Sequence, residues 1–147
     1  MLLVSVLAGA CGGGDSSSKT TPTTAGGGDY KTKAQNAATK LGKQADALAK
    51  DMQTAQATQS DPKWAGILNS DADLIVAAAN DLKALTPPAG SLAAVHAQFV
   101  KAADRLIEAA GFMKKSVETG DVASGTQAYF ALTDGKGTLN EALAALK

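Results

Sequence analysis

Net charge, aromatic rings and metal-binding side chains are all scarce in this chain. Its 14 basic and 14 acidic residues cancel, so it lacks the basic field that nucleic-acid binding needs to neutralise phosphates. A single cysteine excludes a disulfide within the chain, and one cysteine with one histidine excludes an all-His/Cys zinc site. Three glutamates and one histidine cannot furnish a ferritin-like di-iron centre. No cofactor or metal is therefore expected. Aromatics reach only 4%, a poor supply for a β-sandwich or barrel, whereas alanine fills about one position in five and favours helices. The 147 residues suit one domain with a modest core.

The chain is not uniform along its length. Leu2 to Ala10 is an apolar stretch ending in small residues, far short of the roughly 20 residues that a spanning helix needs. It fits the apolar region and cleavage site of a secretory signal over residues 1–10. Leu7-Ala8-Gly9-Ala10-Cys11 resembles the lipobox of bacterial lipoproteins, in which a peptidase cuts before a cysteine that is lipidated. Ala8 stands where that family usually has leucine, and no Lys or Arg precedes Cys11, which suggests a signal truncated at its start. The resemblance makes Cys11 the lipidation site, with the protein held on the outer face of the cell membrane. Residues 12–28, Gly-Gly-Gly-Asp-Ser-Ser-Ser-Lys-Thr-Thr-Pro-Thr-Thr-Ala-Gly-Gly-Gly, offer nothing to bury. With Cys11 they form a lipidated linker, residues 11–28, expected to behave as flexible coil.

From Asp29 to residue 147 apolar residues recur at spacings of three and four in four segments. The first, about 29–59, carries Ala34, Ala38, Leu41, Ala45, Leu48, Met52 and Ala55. The second, about 62–85, carries Trp64, Ile67, Leu68, Ile75, Ala78, Leu82 and Leu85, with Asp61-Pro62 as a start signal and Pro87-Pro88 as a stop. The third, about 90–118, places Leu92, Val95, Phe99, Ala103, Leu106, Ala110, Met113 and Val117 on one face, with Ser91 as its cap. Gly120 suits a left-handed terminator, and Asp121 caps the fourth segment. That segment, about 122–146, carries Val122, Tyr129, Leu132, Leu139, Leu143 and Leu146, with a break expected at Asp134-Gly135-Lys136-Gly137. Short connections favour antiparallel neighbours. The expected fold is all-α, an up-down-up-down four-helix bundle after a disordered N-terminal segment.

Motif searches are largely negative. Setting Gly137 at the glycine of a calcium loop puts Leu132 and Leu143 where carboxylates are required. Gly120 to Thr126 has two glycines at phosphate-loop spacing but no lysine and no preceding strand. No segment brings nucleophile, base and orienting group together, so an enzyme is not expected. Asp104 and Glu108 stand one helical turn apart, and their spacing from Lys101 and Arg105 favours surface ion pairs over a metal site.

Two polar residues break the apolar stripes. Asp71 falls among Leu68, Ile75 and Leu82, and His96 among Leu92, Phe99 and Ala103. A buried carboxylate needs a partner, and antiparallel threading offers Lys136, placing Asp71 near Leu106. The same threading puts His96 near Leu41, Ala78 and Leu143, away from Asp71. These three residues are read either as core polar groups that fix register or as a polar spot in an interior ligand site. Trp64, Phe112, Met113 and Tyr129 come to one level, at the end opposite the start of the first helix. They form either a plug closing the bundle or a binding tip. The expected function is a non-enzymatic, lipid-anchored, extracytoplasmic bundle that binds a partner protein or envelope component. The alternative is a bundle holding a small ligand or metal at its interior polar spot.

Overall fold

A computed structural model describes residues 25–57 and 62–147. Cys11, the signal, most of the linker and Asp61 lie outside the described residues. Four α-helices follow one another: α1 (Ala25–Ala57), α2 (Lys63–Lys83), α3 (Ser91–Thr119) and α4 (Val122–Ala145). No strand occurs among the described residues.

Cross-helix pairs show the antiparallel order. Lys40 on α1 reaches Asp81 on α2 at 2.8 Å, while Lys83 and Asp73 of α2 pair with Asp104 and Lys114 of α3. Arg105 Nε on α3 donates to Asp134 on α4 at 2.8 Å, and Lys31 near the start of α1 reaches the Lys147 carbonyl. Helices α2 and α4 are diagonal and make no contact with each other. The all-α bundle read from the sequence is the observed fold.

On α1 the expected stripe is buried from Ala34 to Met52, with Ala55 only half-buried and Tyr30 added at its lower end. The helix starts at Ala25, inside the stretch assigned to the linker. Its first turns are held by Thr32 Oγ1 donating to the Gly28 carbonyl at 3.1 Å and by the Asp29–Lys33 ion pair at 2.8 Å. Extending an existing helix is far cheaper than starting one, so the glycines are tolerated there.

Helix α3 begins differently from expectation. Ser91 is its first residue and caps nothing, and the cap position is Gly90 at φ 93°. Only glycine takes that conformation readily, and it turns the chain from the proline pair into the helix. At the other end Gly120 adopts φ 70° and its N–H donates to the Ser116 carbonyl at 2.9 Å, as the sequence suggested. Asp121 then accepts from the N–H groups of Ala123 and Ser124 at 3.0 and 3.2 Å and from Ser124 Oγ at 2.6 Å. These bonds hold its carboxyl below the usual carboxylate range, the Ser124 hydroxyl contributing most. A carboxylate whose folded pKa is depressed stabilises above its unfolded pKa and loses that effect as pH falls through the folded one. Asp121→Ala therefore melts below wild type at neutral pH in thermal circular dichroism, and the gap narrows in acid. A gap of the same size in acid would show that the ionised carboxylate is not the cap.

Helix α4 departs most from expectation. It runs unbroken through Asp134-Gly135-Lys136-Gly137. Its buried face is Ser124, Ala128, Ala131, Leu132, Gly135, Leu139 and Ala142, whereas Val122 is 81% and Tyr129 48% exposed. The reason is close approach to α3. A Cβ on Gly135 would stand 2.8 Å from Leu106 Cγ and 3.3 Å from Arg105 Cβ, so a small face is what lets these helices meet. Leu132 and Leu139 pack inward as expected, while Val122, Tyr129 and Phe130 are turned outward.

The level of α3 also differs. Because Lys83 meets Asp104 and Asp73 meets Lys114, Asp71 stands near Ser116 rather than Leu106. Helix α2 is the shortest of the four, and the first turns of α3 run past its end to meet the start of α1.

Candidate functional site

At the end of the bundle where α3 turns into α4, all four helices open around a cleft of about 990 Å³. It lies roughly 40 Å along α1 from Ala25, at 1.5 Å of rise per residue up to Met52. Met52, Trp64, Leu68, Met113, Val117 and Tyr129 supply its apolar lining. Gln53, Gln56, Ser116 and Thr126 supply neutral polar groups, and among the described lining residues there is no Asp, Glu, Lys, Arg or His. In a chain that is 19% charged, that composition sets the cleft apart.

Three members of the expected tip cluster, Trp64, Met113 and Tyr129, therefore line one cavity. Phe112 does not. It is half-buried against the core, because a residue next to Met113 points about 100° away around the helix. Within the cluster Met113 is buried, Trp64 half-buried and Tyr129 exposed. Lys63 lies with its ammonium 5.5 Å from the Trp64 ring centre, beside the lining.

Sequence reasoning missed Val122, Gln53, Gln56, Ser116 and Thr126 as lining residues and assigned Met52 to the core stripe alone. One signal was present. Residues 122–133 contain no charged side chain, an unusual run for a helix with a solvent-facing side. On that side Phe130 is 65% exposed and meets Tyr129 edge to face at 6.2 Å, continuing the uncharged surface away from the cleft.

Asp71, His96 and Lys136 do not converge. Asp71 is half-buried, and its Oδ2 is buried with no hydrogen-bond partner. Lys136, the expected partner, instead pairs with Asp46 on α1, because α4 lies diagonally across from α2. What approaches Asp71 is another acid, Asp51 on α1. Burial, then the hydrogen bond and charge repulsion from Asp51, push the Asp71 carboxyl up to about 6. Asp71 is not among the residues lining the cleft.

His96 sits at the opposite end, level with Tyr30 rather than Leu41. Tyr30 Oη and His96 Nδ1 are hydrogen-bonded at 2.9 Å, and the rings meet edge to face at 5.9 Å. Burial lowers the His96 pKa and raises that of Tyr30. The pair ties α1 to α3 roughly 30 Å from Asp51, counted along α1, so it shares no chemistry with Asp71. Asp104 and Glu108 pair with Lys83 and Arg105, as surface ion pairs. Among the described residues no group of three or more His, Cys, Asp and Glu side chains is placed to hold a metal. No helix among them is long and apolar enough to cross a membrane.

No family model matches the chain, and neither a curated protein nor a solved structure matches it.

Proposed function

We propose that this protein is a non-enzymatic binding module, anchored by a lipid on Cys11 to the outer face of the cytoplasmic membrane. Its distal end engages a partner protein or another envelope component. The observation that carries the reading is the uncharged cleft at the end of the bundle remote from the start of α1. An anchor on the N-terminal side of α1 would present that end away from the bilayer. The lipobox-like Leu7 to Cys11 supplies the anchor, and the lipoprotein modification, with two or three acyl chains, suffices for stable attachment. The separation of Asp71, His96 and Lys136 leaves the interior polar site without a centre.

The test is made in bacteria expressing the full chain. Wild type should incorporate labelled palmitate and partition with membranes, whereas Cys11→Ala should do neither. In the membrane-bound protein, a photo-crosslinking residue in place of Tyr129 should yield a discrete adduct that the same residue in place of exposed Lys101 does not. Wild type without label, or equal adducts from both positions, would overturn the reading.

A further inference from the structure

We infer that the distal cleft is a binding site for a neutral, largely apolar small molecule that carries a hydrogen-bond donor on its edge. The inference deepens the proposed role of the distal end by naming the chemistry of what binds there. The cleft's volume of about 990 Å³ is at the upper end of the roughly 300–1,000 Å³ typical of small-molecule sites.

Its lining selects against charge. A carboxylate, sulfonate or phosphate entering it would lose water and meet no cation among the described lining side chains. A cationic group would meet no anion among the described lining residues. What the lining does offer is two thioethers, Met52 and Met113, beside the rings of Trp64 and Tyr129. Such unbranched, polarisable groups adapt their shape to apolar and aromatic bodies.

The polar side chains add direction. Ser116 Oγ already donates to the Asp121 carbonyl at 2.9 Å, and Thr126 Oγ1 donates to the Val122 carbonyl at 3.1 Å. With their hydrogens committed to the backbone, both hydroxyls face a ligand as acceptors. A ligand N–H or O–H answers them, and the amides of Gln53 and Gln56 can serve either role.

Phenylnaphthylamine, a neutral two-part aromatic with one N–H, is a direct probe, and anilinonaphthalene sulfonate carries the same ring body with an added negative charge. Trp64 is the only tryptophan in the chain and lines the cleft, so its own emission reports occupancy. The full 147-residue chain, in detergent-free buffer, is titrated with each dye. The neutral dye should quench Trp64 saturably, and the sulfonate should bind about tenfold more weakly or worse, because the described lining holds no cation and the Lys63 ammonium already lies against the Trp64 ring. Ala65→Phe fills the cleft from an exposed position and should weaken the neutral dye by about tenfold. Val122→Asp, at an 81% exposed lining position, places a charge there and should also weaken it, which keeps the test open if Ala65→Phe disturbs the fold. No response at Trp64, equal or tighter binding of the sulfonate, or indifference to both substitutions would overturn the inference. Palmitate labelling reads the anchor independently, so a failure of the dye titration and a failure of anchoring are told apart.

Discussion

Replacing Gly135 by alanine lowers stability by about 1–3 kcal/mol, the usual cost of forcing a methyl group into a packed interior. Alanine gains up to about 1 kcal/mol over glycine in helix propensity, so the sign of the outcome decides between two physical effects. Packing wins because the added Cβ would lie 2.8 Å from Leu106 Cγ and 2.9 Å from its Cδ2. Leu106 is fully buried, and moving its Cγ requires a change near the backbone rather than at a free end. Arg105 Cβ at 3.3 Å closes the other side. The helices would have to separate along their tightest seam. For a domain of this size the loss corresponds to a fall in melting temperature of roughly 3–10 °C. Gly137→Ala gives the control in the same helix. Nothing lies within 4 Å of its built Cβ, so propensity acts alone and stability rises by about 0.5–1 kcal/mol. Urea or thermal melts of the two variants read both effects. A Gly135→Ala protein that melts at or above wild type would mean that α3 and α4 do not approach as closely as described.

Asp71→Asn stabilises the protein at neutral pH. The Asp71 carboxyl has its pKa pushed up to about 6 in the folded protein, against 3.8 as its ordinary value. Between those values the folded chain holds a proton that the unfolded chain has released. Stability from this group is therefore complete below pH 3.8 and declines as pH rises through about 6. Asparagine keeps the shape, never ionises and ends the repulsion from Asp51. The gain at pH 7 is about 1 kcal/mol, less than the full shift would give, because solvent screens a half-exposed carboxylate. His96 acts in the opposite sense. Its pKa is lowered by burial, so acid charges it at a cost. The comparison that isolates Asp71 is accordingly the difference between variant and wild type, which should vanish toward pH 4 and open toward pH 7. A variant less stable than wild type at pH 7 would show that the carboxylate has a cationic partner after all.

The parts of this fold legible in the sequence are those where large apolar and polar residues alternate sharply. On α1, leucine and alanine at three-and-four spacing stand against Lys, Gln and Asp, and the buried residues from Ala34 to Met52 are the ones the spacing indicates. On α4 nearly every side is small or apolar, so periodicity carries little direction. Counting its large residues found Leu132, Leu139 and Leu146, which are buried, but also Val122 and Tyr129, which are not, because small residues fill the rest of the packing face. The cleft was partly legible, since equal distances from the turns bring Trp64, Met113 and Tyr129 to one end. The partner of Asp71 was not found because the search looked for opposite charge. Asp51 and Asp71 stand equally far along the chain from Asp61, a symmetry that an antiparallel hairpin turns into proximity. The level of α3 could not be read from the connection alone, because the first turns of α3 overshoot the end of α2.

The packing around Gly135 also has a consequence for how the bundle would bear a load if it were pulled from its N-terminal end. Helices α3 and α4 share the most extensive interface, and α1 meets α4 only sparsely. A pull entering at Ala25, with resistance at the distal cleft, runs lengthwise along α1 and shears it against α2. Shear along two helices would load the buried rungs of α1 that lie alongside α2 together instead of opening them one after another. The α3–α4 hairpin, held by its own seam, would carry less of that load, and with it the half of the cleft built from Met113, Ser116, Thr126 and Tyr129.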